Sequence, residues 1–280
     1  MNRVIGGTTV AVLAGLSLLT AMIVARGTNG DTRGDRNRAA TGNAKRTPVL
    51  VELFTSEGCS SCPSADQVLA RLQKDQPIDN AEIIPLSEHV DYWNYIGWAD
   101  PFSSAAYSDR QRGYGTAFRL ESIYTPQMVV NGQAEFVGSD RGRAESVIAR
   151  AASAAHADVE IKAAPSRGSA PEVQIRVDNL PPVRRGDTAD VLLAITEDNL
   201  RSNVARGENS GRRLEHTAVV RNLRVIGTVS PGRPFAATAG AVIASAWKRG
   251  DLTAVVFVQE RASRRVLGAA SIPLAGANGN

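Results

Sequence analysis

The chain has 280 residues, of which 43% are hydrophobic and 21% charged, with 32 Lys and Arg against 28 Asp and Glu. The net charge of +4 is spread unevenly: residues 26–47 carry 6 basic and 2 acidic side chains, residues 48–155 carry 8 and 14, and residues 156–280 carry 17 and 12. No single basic patch accounts for the surplus. The acidic middle region argues against nucleic acid as a partner, because phosphate binding needs concentrated positive charge.

In chain order, Met1, Asn2 and Arg3 precede an uncharged run over residues 4–25. At 22 residues it exceeds the ~7–15 of an ordinary signal-peptide core and is long enough to span a bilayer. Residues 1–27 therefore read as a signal peptide or an N-terminal membrane anchor. Ala25-Arg26-Gly27 offers small residues for cleavage, while Arg26, Arg33, Arg36 and Arg38 beyond the run leave the positive-inside rule undecided. Either reading places the rest of the chain in the periplasm or outside the cell, tethered by residues 4–25 in the anchored case, where cysteines can pair. Residues 28–47 are rich in Gly, Asn, Asp, Thr and Arg without hydrophobic period and read as a flexible linker.

Residues 48–155 alternate strand and helix character. The apolar run 49–54 is short enough for a buried strand, and Val68, Leu69 and Leu72 recur at helical spacing within 60–74. A second strand at 81–86 leads into an aromatic loop over 87–101 that holds His89, Asp91, Tyr92, Trp93, Tyr95 and Trp98. A helix follows over 102–118, with Gly113-Tyr114-Gly115 read as a helix end. Strands at 127–131 and 134–137 flank Asn131-Gly132, a strong hairpin signal. A helix over 142–155, with Val147 and Ile148 on one face, closes the region.

The chemistry centres on Cys59-Ser60-Ser61-Cys62-Pro63, which holds the only two cysteines of the chain. It lies where the first strand turns into the first helix. A helix N-terminus presents unpaired N–H groups and partial positive charge, which favour a thiolate and make Cys59 a nucleophile near neutral pH. Cys62, about one turn on, can close a disulfide. Pro63 costs little in a first turn whose N–H groups have no helical partner. Half of a zinc site is the poorer alternative, since zinc takes four ligands and no second cysteine pair exists. A passive staple over so short a loop removes little unfolded-state entropy.

The order of elements resembles the thioredoxin fold. That resemblance implies a cis proline at Thr125-Pro126, facing the cysteine pair and presenting backbone to a partner. A narrower resemblance rests on residues 51–66 around the cysteines, His89-Val90-Asp91-Tyr92-Trp93-Asn94, Trp98-Ala99-Asp100-Pro101-Phe102, Tyr124-Thr125-Pro126-Gln127-Met128-Val129-Val130-Asn131-Gly132, residues 204–212, His216 and Val219-Val220-Arg221. Together they are similar to a bacterial secreted family with a thioredoxin-like domain, called domain of unknown function 1223. The family implies a fold and a compartment but no substrate. Glu52, on the strand that enters the site, is a candidate for the buried carboxylate that thioredoxins use in proton transfer, displaced by one residue. Glu57 reads as exposed. His89 is placed to stabilise a thiolate or, with Cys59 and Cys62, to hold copper(I) or zinc.

From His156 onward, alternating apolar and polar residues at 159–163, 173–177, 189–196, 217–229, 253–259 and 266–272, punctuated by Pro and Gly, suggest an antiparallel β-sandwich. The expected architecture is thus an α/β thioredoxin-like domain over 48–155 followed by a β-sandwich domain over 156–280. Residues 198–213 read as one long polar loop, a candidate lid through Arg206, Glu208, Asn209, Arg212 and the nearby His216.

Three functions remain at this point. The first is a thiol–disulfide oxidoreductase acting on protein thiols or disulfides, with Cys59, Cys62 and Pro126 as its centre, Glu52, Thr125 and His89 in support, and no cofactor beyond the redox-active disulfide. The second is a copper-binding carrier using Cys59, Cys62 and His89. The third is a partner-binding module in which the disulfide is only a staple.

Overall fold

The computed structural model describes residues 46–165 and 171–275. The expected signal or anchor over 1–27 and nearly all of the linker over 28–47 lie outside these residues. Among the described residues no helix is long and apolar enough to cross a membrane.

Strand β1 (Thr47–Thr55) is buried from Val49 onward and runs parallel to β2 (Ala81–His89), in register from Thr47↔Ala81 to Thr55↔His89. Alternation along β1 sends Val49, Val51 and Leu53 to one face and Leu50, Glu52 and Phe54 to the other. Helix α1 (Cys62–Asp75) forms the crossover and packs Ala65, Val68, Leu69 and Leu72 on the first face. Helix α3 (Arg141–Ala151) adds Ala144, Val147 and Ile148 there. Helix α2 (Ala105–Phe118), capped by the Ser104 hydroxyl, covers the other face. Strand β3 (Gln127–Val130) lies antiparallel to β1, and β4 (Ala134–Val137) to β3. Their connection places Asn131 at φ 46° and Gly132 at φ 62°, the left-handed pair that a tight hairpin needs. A Cβ at Gly132 would also stand 1.8 Å from the Arg264 carbonyl oxygen, so glycine is required there.

The second half contributes β5 (Asp158–Ala164), β6 (Glu172–Asp178), β7 (Ala189–Glu197), β8 (Leu200–Asn203), β9 (Arg213–His216), β10 (Val219–Val229), β11 (Phe235–Gly240), β12 (Leu252–Glu260) and β13 (Val266–Pro273). These strands do not form a domain of their own. One eight-stranded mixed sheet runs in the order β13-β12-β7-β10-β2-β1-β3-β4, and the join is a parallel contact between β10 and β2 at Val219↔Ser87. Three strands, β11-β6-β5, form a smaller sheet, and β8-β9 an isolated hairpin.

The expectation of a thioredoxin-like α/β domain followed by a separate β-sandwich is therefore overturned. Most of the described elements are strands, with three α-helices, and the largest sheet continues across the expected boundary at 155/156. The physical reason lies in β7 and β12, which are buried along both faces. One face of β7 and β12 packs with β5 and β6 in a core containing Val173, Ile175, Val191, Leu193, Val256 and Val258. The other face packs Leu192, Ala194, Val255 and Phe257 against Leu50, Ile84 and Leu86 of β1 and β2 and Tyr107 of α2. Burial of each such side chain contributes roughly 1.5–3 kcal/mol, so neither half can part from the other without exposing a core.

Candidate functional site

Beyond Thr55 the chain turns through Ser56, Glu57 and Gly58. The N–H of Cys59 donates to the Ser56 carbonyl at 3.2 Å, and the N–H of Cys62 to the Cys59 carbonyl at 3.2 Å. Cys59 and Cys62 form a disulfide with their Cα atoms 5.4 Å apart. Cys62 is the first residue of α1, with Pro63 in the first turn, and Cys59 lies in the turn ahead of it. Ser60 and Ser61 face solvent, whereas Cys59 is 1% exposed and Cys62 fully buried. Gly58 is confined, since a Cβ there would stand 3.0 Å from the Trp93 Cβ.

Beneath this turn lies a cluster of buried polar side chains. Glu57, expected at the surface, is 1% exposed. Its Oε2 accepts from Trp98 Nε1 at 2.7 Å, its Oε1 meets His216 Nε2 at 2.9 Å, and its N–H donates to Asp100 Oδ2 at 2.8 Å. Asp100 Oδ2 also meets His89 Nδ1 at 2.7 Å. Thr55 Oγ1 donates to Asp66 Oδ1 at 2.8 Å, and Asp66 Oδ2 lies 3.9 Å from His216 Nδ1. The rings of His89 and His216 stand edge to face at 4.8 Å, each 5.5 Å from Phe102, which closes one side. His89 Nε2 and His216 Nδ1 are buried without a hydrogen-bond partner.

Burial sets the proton affinities here. It pushes the Asp66 carboxyl up, and attraction to His216 and His89 and the Thr55 hydrogen bond offset this only in part. Burial pulls His89 down, but Asp100, Asp66 and Glu57 together outweigh it, so the imidazole ends above its ordinary range. For Asp100 burial pushes up, and His89 with the N–H groups of Glu57 and Phe102 brings the carboxyl below its ordinary range. The cluster therefore combines a carboxyl that retains its proton unusually far with an imidazole that does the same.

The stretch expected as one long loop is shorter than that. Strands β8 and β9 pair from Leu200↔His216 to Asn203↔Arg213, leaving residues 204–212 as the tip of a hairpin. That tip lies on the cysteine turn. Asn209, fully buried, donates from Nδ2 to the carbonyls of Glu57 at 2.8 Å and Cys59 at 2.9 Å. Arg212 Nη1 holds the Asn209 Oδ1 at 2.8 Å, which fixes the amide. Glu208 Oε2 accepts from the Ser60 N–H at 3.0 Å, and hydrogen bonding from the Ser60 hydroxyl and N–H lowers the Glu208 carboxyl from its ordinary range. Gly207, at φ 77°, rests against Trp98 and Gly97. Arg206 is exposed.

Of the residues singled out in the sequence, the structure thus brings Cys59, Cys62, Glu208, Asn209, Arg212, His216 and His89 into one region. Thr125-Pro126 has a cis peptide bond, and Thr125 Oγ1 accepts from Trp93 Nε1 at 2.8 Å, next to Gly58. Glu52 belongs elsewhere. It points to the opposite face of β1, where Arg110 Nε donates to it at 2.6 Å and the Tyr114 hydroxyl bonds its other oxygen. Cys59, Cys62 and His89 are not gathered as metal ligands: among the described residues no group of three or more His, Cys, Asp and Glu is arranged to hold a metal ion. Sequence reading missed Asp66 and Asp100 as members of the cluster. Asp66 carried a usable signal, because it stands four residues after Cys62 on the same helix face. Asp100 carried none, since nothing in the loop pairs it with His89.

A family model described as "Protein of unknown function (DUF1223)" matches residues 50–259. A search of curated proteins finds no match. Among solved structures, the crystal structure of protein AGR_C_4864 from Agrobacterium tumefaciens is similar at 27% identity and a TM-score of 0.64, covering 82% of this chain and 96% of its own. HBP35 of Porphyromonas gingivalis shares the fold at 14% identity and a TM-score of 0.56, covering 83% of this chain and 76% of its own.

Proposed function

The chain belongs to the DUF1223 family of proteins of unknown function, and from that premise we propose that it is a thiol–disulfide oxidoreductase working through Cys59 and Cys62 outside the cytoplasm. One observation carries the reading: a disulfide closed over two residues sits directly above buried, titratable side chains. As a staple the disulfide would contribute little, because its loop is so short. A cluster of buried carboxyls and imidazoles costs stability in a purely structural turn, whereas proton exchange at a reacting thiol requires such groups.

In the dithiol form, the Cys59 thiolate attacks a sulfur of the partner disulfide. A Cys59–partner bond forms and the other partner sulfur leaves as a thiolate. Cys62, deprotonated, then attacks the Cys59 sulfur, closing the Cys59–Cys62 bond and releasing the second partner sulfur as a thiolate. The partner gains the two electrons that the dithiol loses, and the reverse sequence oxidises a partner dithiol. Asp66 lies one helical turn from Cys62, so their side chains are neighbours. Its raised affinity makes it a suitable acceptor for the Cys62 proton, with His216 Nδ1 next in line. Partners are protein thiols or disulfides. The uncharged run at 4–25 supports export or a membrane tether.

Differential alkylation of the purified, reduced chain tests this. Cys59 is expected to be labelled faster than Cys62 near neutral pH, and Cys62→Ala to trap hydroxyethyl disulfide as a mixed disulfide at Cys59. Two equally inert thiols, with no adduct in the variant, would overturn the assignment.

A further inference from the structure

We propose that the tip of the β8–β9 hairpin occupies the place of a polypeptide substrate, and that the partner of this site is an extended, cysteine-bearing segment whose main chain takes over the tip's hydrogen bonds. The inference rests on the thiol–disulfide reading and adds the class of partner and what guards the site.

The tip engages three main-chain groups of the cysteine turn: the carbonyls of Glu57 and Cys59, and the N–H of Ser60. Their partners are a primary amide N–H from Asn209 and a carboxylate oxygen from Glu208. These are the same kinds of donor and acceptor that a peptide backbone presents. An extended chain laid over the turn can supply both, as backbone pairing does wherever a strand is added to exposed main-chain groups. With the tip in place Cys59 is 1% exposed although Ser60 and Ser61 face solvent. The tip thus clamps the main chain around the buried Cys59 while leaving Ser60 and Ser61 open.

The tip is also built to leave. Its residues Ala205, Arg206, Glu208, Ser210, Gly211 and Arg212 are exposed. It meets the aromatic loop through Gly207 against Gly97 and Trp98, a contact without a large apolar side chain from the tip. Lifting residues 205–212, with Val204 (2% exposed) staying buried, exposes hydrogen-bonding groups that water can satisfy and little hydrophobic surface. Leu214 and His216 are buried, with His216 bonded to Glu57, so the paired residues 200–203 and 213–216 stay in place and residues 205–212 move about them.

The test follows reduction of the Cys59–Cys62 disulfide in the full chain by two thiols, dithiothreitol and an extended synthetic peptide with one cysteine. Asn209→Ala is expected to speed attack by the peptide about tenfold, the worth of one or two hydrogen bonds, and Glu208→Gln by a smaller factor. In the wild type, an excess of the same peptide with Ser for Cys should slow the reaction with the cysteine peptide. Glu208 is exposed, so Glu208→Gln keeps the test available if Asn209→Ala fails to fold. Wild type and variants reacting at equal rates with both thiols would overturn the proposal and leave the oxidoreductase reading standing. A disulfide inert to both thiols in every variant would overturn both. Acceleration of dithiothreitol alone, without competition by the Ser peptide, would assign the tip to a plain cover and sink the substrate-mimic assignment.

Discussion

The two faces of β1 each bury a charged cluster, and the clusters differ in kind. On one face Glu52 and Glu88 share the guanidinium of Arg110, with Arg110 Nε 2.6 Å from Glu52 and 3.3 Å from Glu88. Gln259 accepts from Arg110 Nη1 at 2.9 Å, and the Tyr114 and Phe257 rings lie 5.3 Å from the guanidinium. A guanidinium does not lose its proton, and burial pushes Glu88 well up while Arg110 only partly opposes this. The guanidinium is the fixed charge around which the set is held. On the other face two imidazoles and three carboxyls surround the cysteine turn, and an imidazole, unlike a guanidinium, can give up its proton. The difference teaches that burial alone does not mark a site. The residue type that accompanies the carboxyls decides whether the cluster is a lock or a place where protons move.

The comparison breaks most sharply at Arg110. Arg110→Met leaves Glu52 buried without its partner and is expected to cost about 3–5 kcal/mol in denaturant unfolding. A variant as stable as the wild type would remove the lock reading. On the other face, Asp66→Asn should do the reverse. It keeps the shape, leaves stability at neutral pH unchanged or higher, and slows closure of the Cys59–Cys62 bond by about tenfold to a hundredfold. Stopped-flow oxidation of the dithiol across pH checks it, because a structural role would not flatten the pH profile.

The smallest effect concerns His89 and Asp100. The folded-state affinity of His89 is raised, so its contribution is fully present below its ordinary value of 6.5 and is lost as pH rises through the raised value. Asp66, also raised, acts in the same direction from its ordinary 3.8 upward. Asp100, lowered, acts in the opposite direction, with its contribution lost as pH falls below 3.8. Asp100→Asn should therefore remove about 1–2 kcal/mol near pH 6, and less at higher pH, as read by thermal unfolding against pH. An identical loss at all pH values would show that the pair is held by shape alone.

Much of the local structure was legible. The cysteine turn, the Asn131-Gly132 hairpin and the strands at 189–196, 253–259 and 266–272 follow from apolar period and turn chemistry. What was not legible depends on partners distant in sequence. Glu57 read as solvated because its neighbours are polar, yet Trp98 and His216 enclose it. Gly113-Tyr114-Gly115 read as a helix end, yet α2 runs through it, since Tyr114 is fully buried and a Cβ at Gly113 would collide with the Arg264 guanidinium. Tertiary packing overrides propensity at such positions. The join of the two halves at Val219↔Ser87 has no local signal at all, and that join is what turned two expected domains into one sheet.

Asn209 reaches the Cys59 carbonyl across 150 positions of chain. Contacts of such span form late, because the entropy of closing the loop must be met before the contact contributes. While the chain is being synthesised, both cysteines are therefore made long before the side chain that clamps their turn. An unfinished chain carries the cysteine pair with its guard missing, and the guarded site becomes a property of the completed fold. The order of synthesis places the interval of greatest exposure ahead of the final pairing of β8 with β9.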